Sequence, residues 1–474
     1  MNKAELIDAI ASEAGLSKAD AKKALNFFVS RMGDERWLKR RDKVVSYFRE
    51  VEAIQYGFKK AESKDGKLVM PIAFYDDWIA WYMYLVESIF ERPLSGDALQ
   101  SARIFPFFSM IGKNLSTLLE IDGIEKKIEE LLNEKKNHPD TIFFELAVAN
   151  LYCKNGWKVS FIPESTYYKS PDLQIRKDGQ QYWVECKRMQ KVPDYSESER
   201  SEWQNRSLRL TAILQEYKLS YSIDIIFKVP VSETGENILV DCFNEYLKIH
   251  SGDKRAQIQT SEIEISFRPL NLASINRELK ERDIRNNSPE LIEVCIGKYE
   301  SGGNYVTVFN HDELYKLGKD KNFDILNLYI DKVGSISILK WTSVSEHSIN
   351  MKAKDVKRLL VKAVDQIPLD GPGIIHIGYE NLDGPYVERK RFLKSEEIIQ
   401  GFDYKEKDIR AIHCNSIQLL ASSNNFDWAE TTCFYKQSHY PVLKNDLLLA
   451  DSVSGFNRPH WEDDIENLEG NQYN

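Results

Sequence analysis

Two carboxylates and a lysine fall at the same end of a short hairpin in the sequence. Asp172 opens one apolar stretch, Glu185-Cys186-Lys187 ends the next, and Gly179 lies in the turn between them. Side chains alternate along a strand, so Glu185 and Lys187 share one face while Cys186 points the other way. The two carboxylates and the backbone carbonyl of Cys186 predict an oxygen site for Mg²⁺, or for Mn²⁺.

Such a site is suited to phosphodiester hydrolysis. A divalent ion activates a water for attack on phosphorus, and Lys187 can hold that water or offset charge on the phosphate. A Glu-x-Lys triplet alone is common in a chain that is 29% charged. Glu185 stands out because the apolar run 182–184 precedes it, and because an Asp-bearing strand lies upstream.

The surrounding pattern predicts the elements that carry these residues. Residues 141–156 read as a helix that Gly156 ends, and residues 197–219 read as a longer helix. Alternating or short apolar runs predict four strands, at 157–163, 172–176, 181–187 and 223–229. The predicted order is helix, three strands, helix, strand.

This order and the Asp172, Glu185 and Lys187 motif resemble the PD-(D/E)XK nuclease superfamily, whose restriction-endonuclease-like core runs αβββαβ. The resemblance covers residues 141–231. It implies a metal-dependent nuclease, with DNA as the favoured substrate, in which Glu145 on the first helix helps to bind metal or to position water. It also implies a polar residue from the second helix, which would be Gln204 or Arg206.

The first 30 residues carry a second resemblance. Residues 4–14 and 18–28 place apolar side chains at helical spacing around Gly15-Leu16-Ser17, with Ser17 as a cap. The stretch MNKAELIDAIASEAGLSKADAKKAL resembles the opening of the HU/IHF family, in which this hairpin forms the dimer core. The DNA-gripping arms of that family are not recognisable after Val29. A natural fusion and a start codon set too early, with Met32 as the true start, are the favoured explanations, and a borrowed dimerisation hairpin is the third.

Composition excludes several classes of protein. The longest lipid-like run, at 78–86, is nine residues, too short for a bilayer, which predicts no membrane association. Acids interrupt the first apolar residues, unlike a secretory signal, and the six Cys are scattered, so we expect reduced thiols and a cytoplasmic location. A net charge of −9 argues against a protein that coats nucleic acid, but a local basic cleft is compatible with it.

Other motifs are weaker. Glu388-Arg389-Lys390 repeats the triplet, but its nearest upstream acid, Asp383, lies in a turn. We interpret it as a surface strand end, and a degenerate second copy of the motif is the alternative. The eight His have no zinc spacing, and no phosphate-binding GxxxxGK[ST] loop occurs.

The whole sequence predicts an α/β protein with a helical N-terminal region and a mixed C-terminal region. Asp65-Gly66 predicts a hairpin turn, the aromatic run at 75–90 is expected to pack inward, and apolar patterning predicts strands at 291–296 and 373–379. The predicted divisions are an HU-like hairpin (1–31), a helical region (32–137), a nuclease core (138–235), a mixed region (236–450) and a loose acidic tail (451–474). A restriction or phage-defence effector fits this size, acting as a homodimer or with a partner protein of a defence system. Cleavage of RNA and a catalytically silent nucleic-acid-binding subunit remain the alternatives.

Overall fold

The structure of the chain is a computed structural model. It describes residues 17–55, 77–91, 98–163, 169–189, 194–250, 254–286, 288–300, 303–309, 314–316, 328–380, 383–421, 426–436, 443–444, 446–449 and 459–470. The mixed α/β class and the helical N-terminal region are confirmed. None of the described helices combines the length and the apolar run that crossing a bilayer requires.

Helices and strands have the following bounds. The helices are α1 Lys18–Met32, α2 Asp34–Gln55, α3 Trp78–Glu91, α4 Ala98–Lys113, α5 Leu115–Leu119, α6 Ile124–Leu132, α7 Pro139–Lys154, α8 Asp194–Glu216, α9 Ile238–His250, α10 Leu272–Glu281, α11 Pro289–Ile296, α12 Glu346–Lys352, α13 Lys357–Gln366, α14 Pro385–Gly401 and α15 His460–Gly470. The strands are β1 Lys158–Phe161, β2 Leu173–Lys177, β3 Gln180–Arg188, β4 Tyr221–Phe227, β5 Ala256–Gln259, β6 Ile263–Pro269, β7 Asn304–Phe309, β8 Leu314–Lys316, β9 Leu328–Ile330, β10 Ile336–Ser343, β11 Gly373–Glu380, β12 Ile409–Ala421 and β13 Phe426–Lys436.

A six-stranded sheet, ordered β1-β2-β3-β11-β12-β13, carries the predicted hairpin. β1, β2 and β3 form an antiparallel meander, and β3, β11 and β12 run parallel. Val184 and Cys186 of β3 belong to the core that α7 covers, whereas Trp183 packs with the core beneath α13 and α14. The sheet therefore has helices on both faces, and we call it, with these helices and α1–α6, the host unit.

A second sheet, ordered β5-β6-β4-β10-β7, is built from residues that lie between β3 and α13 in the sequence. One of its faces packs on α8 and α9 around Trp203 and Phe243, and the other packs on α10 and α11 around Leu279 and Leu291. These two hydrophobic cores contain no residue of the host unit. Residues 194–344 thus form an inserted unit.

This topology corrects the predicted nuclease core. The helix predicted at 197–219 and the strand predicted at 223–229 exist as α8 and β4, but β4 lies in the second sheet. The prediction that they complete the core of β1 to β3 is wrong. In the host sheet, the helix and the parallel strand that follow the meander are α13 and β11. The boundary predicted after residue 235 falls between β4 and β6, which are neighbours in one sheet.

Three smaller predictions have different outcomes. The aromatic run at 75–90 packs inward where it is described, since Trp81, Tyr82 and Tyr84 are 3% exposed or less. The strand predicted at 291–296 is instead helix α11, because Ser288 caps it by accepting the Leu291 N–H at 3.1 Å. The hairpin predicted at 65–66 lies outside the described residues.

The tail predicted to be loose contains α15. Trp461 of this helix is fully buried and belongs to the core that α13 and α14 share. The acidic composition of the tail gave no indication of this helix. One buried Trp side chain is nevertheless enough to hold a short helix against a core.

Helix α1 is the described part of the HU-like hairpin, whose first helix lies outside the described residues. Ser17 caps α1 as predicted, accepting the Asp20 N–H at 3.3 Å. Phe28 is fully buried, with ring-centroid distances of 5.5 Å to Phe108 in α4 and 6.5 Å to Phe143 in α7. Because this apolar face belongs to the chain's own core, it is not free to form a dimer, and the expectation that a protein beginning at Met32 folds normally conflicts with the packing.

Candidate active site

The predicted meeting of Asp172 and Glu185 is present in the structure. The register pairs Leu173 with Val184, so Asp172, one residue before β2, lies beside Glu185 on β3. The Cys186 N–H donates to Oδ2 of Asp172 at 2.7 Å, which fixes the carboxylate against the neighbouring strand. Antiparallel pairing therefore brings together two acids that are separated by twelve residues of sequence.

Lys187 lies on the same face of β3 as Glu185, as the strand alternation predicted. Its ammonium forms an ion pair with Oε1 of Glu185 and donates to Oε1 of Gln366 at 2.6 Å. Gln366 in turn donates through Nε2 to the carbonyl of Ser170 at 2.9 Å. Gln366, at the end of α13, thus links Lys187 to the segment that leads into Asp172.

The structure does not bring the second-helix residues implied by the family resemblance to this cluster. Gln204 and Arg206 are on α8 of the inserted unit, where Gln204 is exposed and Arg206 donates to Thr234 Oγ1 at 2.8 Å. The helix that packs beside β3 is α13, and its polar contribution is Gln366. No local sequence signal marked Gln366, because its partner Lys187 lies on the far side of the insertion.

Glu145 lies on α7 with its side chain buried. Nζ of Lys127, on α6, is 2.9 Å from Oε2 of Glu145 and 3.1 Å from Oε2 of Glu130. Sequence reasoning missed Lys127, although a signal was present: it occupies the apolar face of α6, between Ile124 and Leu131. A cation at such a position needs a buried partner, which Glu145 provides.

Burial and mutual repulsion raise the pKa values of the three carboxyl groups. For Glu145, burial and then the charge of Asp172 raise the pKa to about 7, against the opposing effect of Lys127. Burial and Asp172 likewise raise the pKa of Glu185 well above its usual value. Burial raises the pKa of Asp172 although the Lys187 ammonium opposes the change. Each of these groups therefore binds a proton more tightly than a carboxyl group in water, and a cation among them would favour their ionised forms.

One carboxylate oxygen of this cluster, Oε2 of Glu185, bears on whether the cluster fits a metal ion. Glu185 is fully buried, and its Oε2 has no hydrogen-bond partner, which is costly for a carboxylate oxygen unless a cation or a water meets it. Within the described ranges, no group of three or more His, Cys, Asp or Glu side chains is arranged to hold a metal. Asp172 and Glu185 supply two of the oxygen donors that Mg²⁺ prefers, and a cation beside them would need further oxygen ligands, such as the Cys186 carbonyl and water.

The second Glu-x-Lys triplet has a different environment. Glu388 begins α14 rather than ending a strand, and it is fully buried, so its interpretation as a surface strand end is wrong. Its carboxylate accepts from the Ser416 hydroxyl and lies 3.5 Å from Nε2 of His460 on α15. Asp383 instead accepts from Ser196 of α8 at 3.2 Å. This triplet contributes to the contact between α14 and α15.

Comparison with known proteins gives one finding. The family model described as bacterial DNA-binding protein matches residues 1–46, which confirms the HU-like resemblance for that segment. No curated protein matches the chain, and no solved structure does. The match supports nucleic acid as a partner of the N-terminal segment, and it ends before α7, so it does not include the Asp172 and Glu185 site.

Proposed function

We propose that this chain is a metal-dependent nuclease that hydrolyses phosphodiester bonds, with DNA as its substrate. The observation that carries the proposal is the junction of β2 and β3, where Asp172 and Glu185 adjoin and Lys187 lies on the same face. Oε2 of Glu185 is buried and has no hydrogen-bond partner, so a bound cation would stabilise this oxygen.

The host-sheet topology supports the proposal. The order is helix α7, strands β1, β2 and β3, helix α13 and strand β11, once the inserted unit and the short helix α12 are set aside. This is the order of the PD-(D/E)XK core that the sequence motif resembles. The resemblance supplies the reaction class, because a fold by itself does not specify a function.

Each residue has a distinct role in this proposal. Asp172, Glu185 and the Cys186 carbonyl hold Mg²⁺ or Mn²⁺, which supplies Lewis-acid activation of a water for attack on phosphorus. Because a cation competes with Lys187 for Glu185, Lys187 is then held by Gln366 and is available to the phosphate. Its charge stabilises the negative charge that develops on the phosphate oxygens. Glu145 orients water through its buried carboxyl.

DNA is favoured over RNA because the nuclease resemblance and the DNA-binding family match both name it. The same site would also cleave RNA, because attack on phosphorus does not depend on the sugar. A binding subunit without turnover is the non-enzymatic alternative. The large insertion fits a restriction or phage-defence effector in which the added unit recognises a sequence, an end or a partner protein.

The test is an incubation of the purified protein with plasmid, linear duplex DNA, single-stranded DNA and RNA, in Mg²⁺, Mn²⁺ or EDTA. We expect metal-dependent cleavage of DNA, abolished by Glu185→Gln and Asp172→Asn. The matched control is Glu278→Gln with Lys280→Gln, a Glu-x-Lys triplet on α10 in the inserted unit. DNA cleavage by Asp172→Asn at the parent rate would show that the active site is assigned wrongly.

Metal titration separates the roles of these residues. Calorimetry with Mn²⁺ should show binding to the parent and to Lys187→Ala, but weak binding to Asp172→Asn and Glu185→Gln. Lys187→Ala should lose about 10²- to 10³-fold in cleavage rate, as is usual for a group that stabilises a charged transition state. Normal Mn²⁺ binding by Glu185→Gln would contradict the ligand assignment.

A further inference from the structure

Helix α13 exposes a basic face. Lys357, Arg358 and Lys362 are exposed and share that face with the exposed side chain of Val361. Lys357 and Val361 are four residues apart, and so are Arg358, Lys362 and Gln366 in turn, so the exposed positions form two adjacent rows along the helix, one of which leads to Gln366. We call Lys357, Arg358 and Lys362 the α13 basic face. This face contrasts with the whole chain, whose net charge is −9.

The α13 basic face makes its own helix less stable. Lys357 and Arg358 are in the first turn, near the positive end of the helix dipole, where cations are unfavourable. The first turn contains no acidic residue, and Val356 gives no side-chain cap. Asp355 compensates in part by accepting the Lys357 N–H at 2.9 Å. Residues that oppose local stability in this way are typical of functional surfaces.

The α13 basic face leads to the candidate active site. α13 ends at Gln366, which accepts from Lys187. With a rise of about 1.5 Å per residue, Lys362 lies about 6 Å and Lys357 about 14 Å along the axis from Gln366. That span is comparable with two to four phosphates of one strand, which are about 3.4 Å apart along a duplex axis.

Further cations surround the end of the helix. Lys169, three residues before Asp172 in the sequence, lies 3.0 Å from Oδ2 of Asp365, and Lys405 lies 3.4 Å from Oδ1 of the same carboxylate. The Asp365 carboxylate thus forms ion pairs with two exposed lysines. The two lysines therefore outnumber the acid that they share at the end of α13.

We propose that the α13 basic face binds the phosphates of the nucleic acid whose backbone is cut at the Asp172 and Glu185 site. This inference rests on the proposed function. Lys and Arg contacts to phosphates fix the position of a strand without reading its sequence. The face would hold the strand in register with Lys187 and would supply affinity that the rest of this acidic chain opposes.

The experiment measures binding in EDTA, so that cleavage does not interfere. Fluorescence anisotropy of labelled duplex DNA, single-stranded DNA and RNA is followed from about 50 to 200 mM salt. The test variant changes Lys357, Arg358 and Lys362 to Gln. We expect binding of duplex DNA that is about 10- to 100-fold weaker at low salt and a salt slope that falls by about 2 to 3, since each phosphate contact contributes about 0.9.

The control variant changes Lys113, Lys154 and Lys158 to Gln. These exposed lysines of α4, α7 and β1 lie outside the α13 basic face and outside the segment that matches the DNA-binding family, and they give the same change in charge. We expect the control to bind like the parent. An equal loss in both variants would overturn the proposal by placing the affinity in overall charge, and so would failure of the parent to bind any of the three probes.

Two readouts keep the result interpretable. The thermal midpoint of the α13 variant should equal or exceed that of the parent, because the substitutions remove cations from the start of a helix. A parent that binds DNA through α13 but never cleaves it would refute the proposed nuclease while the binding surface stands. A parent that cleaves DNA while the α13 variant keeps the parental salt slope would refute the surface alone.

Discussion

Glu145 is the residue whose ionisation has the clearest effect on stability. Its pKa in the folded protein is about 7, against an ordinary value of 4.5, because burial and Asp172 disfavour its charge. A carboxyl with a raised pKa stabilises the fold below its unfolded pKa, and that contribution is lost as the pH rises through the folded value. The free energy of unfolding in EDTA should therefore fall by about 3 kcal/mol from this group between pH 4.5 and 8.

Comparison of Glu145→Gln with the parent isolates this effect. The variant also loses a partner of the buried Lys127, which lowers its stability. Relative to the parent, it should nevertheless gain stability as the pH rises from 5 to 8, as measured by denaturant unfolding. Glu125→Gln, which removes an exposed carboxylate of α6, is the control. A constant difference between Glu145→Gln and the parent across this pH range would contradict the prediction.

Gln366 is a positioning residue for Lys187 in the proposed reaction. Gln366→Ala removes the acceptor at 2.6 Å from Lys187 and should lower kcat about 10- to 100-fold, because a misplaced catalytic group loses orientation. The KM for DNA and the affinity for Mn²⁺ should stay at parental values, whereas a general structural defect would change all three. Gln400→Ala, at an exposed position of α14, serves as the control.

The main residues of the site could be predicted from the sequence because their arrangement is local. Asp172, Glu185 and Lys187 belong to one hairpin, and alternation along its strands fixes their faces. Gln366 could not be predicted, since its contact with Lys187 spans 179 positions of the chain. Lys127 lies between these cases: its place on an apolar helix face was visible, but its partner was not.

At the scale of elements, α1 and α4 approach so closely that their contact requires a glycine. A Cβ on Gly112 of α4 would lie 1.7 Å from the carbonyl oxygen of Asp20 in α1. Gly112→Ala should force the helices apart and destabilise the protein by about 1 to 3 kcal/mol, as overpacking usually does. Gly401→Ala, at a position with no atom within 4 Å of the added carbon, should be neutral. Thermal unfolding of both variants tests this contrast.

Which elements would adjoin was harder to predict than the elements themselves. The strands near 157–163, 172–176, 181–187 and 373–379 were each recognised from apolar patterning. The error lay in joining β3 to the next helix and strand in the sequence. An insertion that itself alternates helix and strand has no distinctive composition, so only sheet pairing reveals that β11, not β4, adjoins β3.

At the scale of the whole molecule, the host and inserted units have separate hydrophobic cores. We expect two calorimetric transitions. Phe243→Ala should lower only the transition of the inserted unit, and Phe143→Ala only that of the host, each by about 3 to 5 kcal/mol in stability. Mn²⁺ should raise the host transition alone, because ligand binding stabilises the unit that holds it. A single transition that both substitutions shift equally would contradict this division.

Side chains near the two ends of the inserted unit contact one another. Tyr195, at the start of α8, lies 3.0 Å from the Ser348 hydroxyl of α12, and Glu199 forms an ion pair with Lys352. Chain ends this close permit one module to be exchanged for another without rebuilding the host sheet. A graft at these two points would therefore exchange the inserted unit, together with any recognition that the proposed function assigns to it, while the Asp172 hairpin stays unchanged.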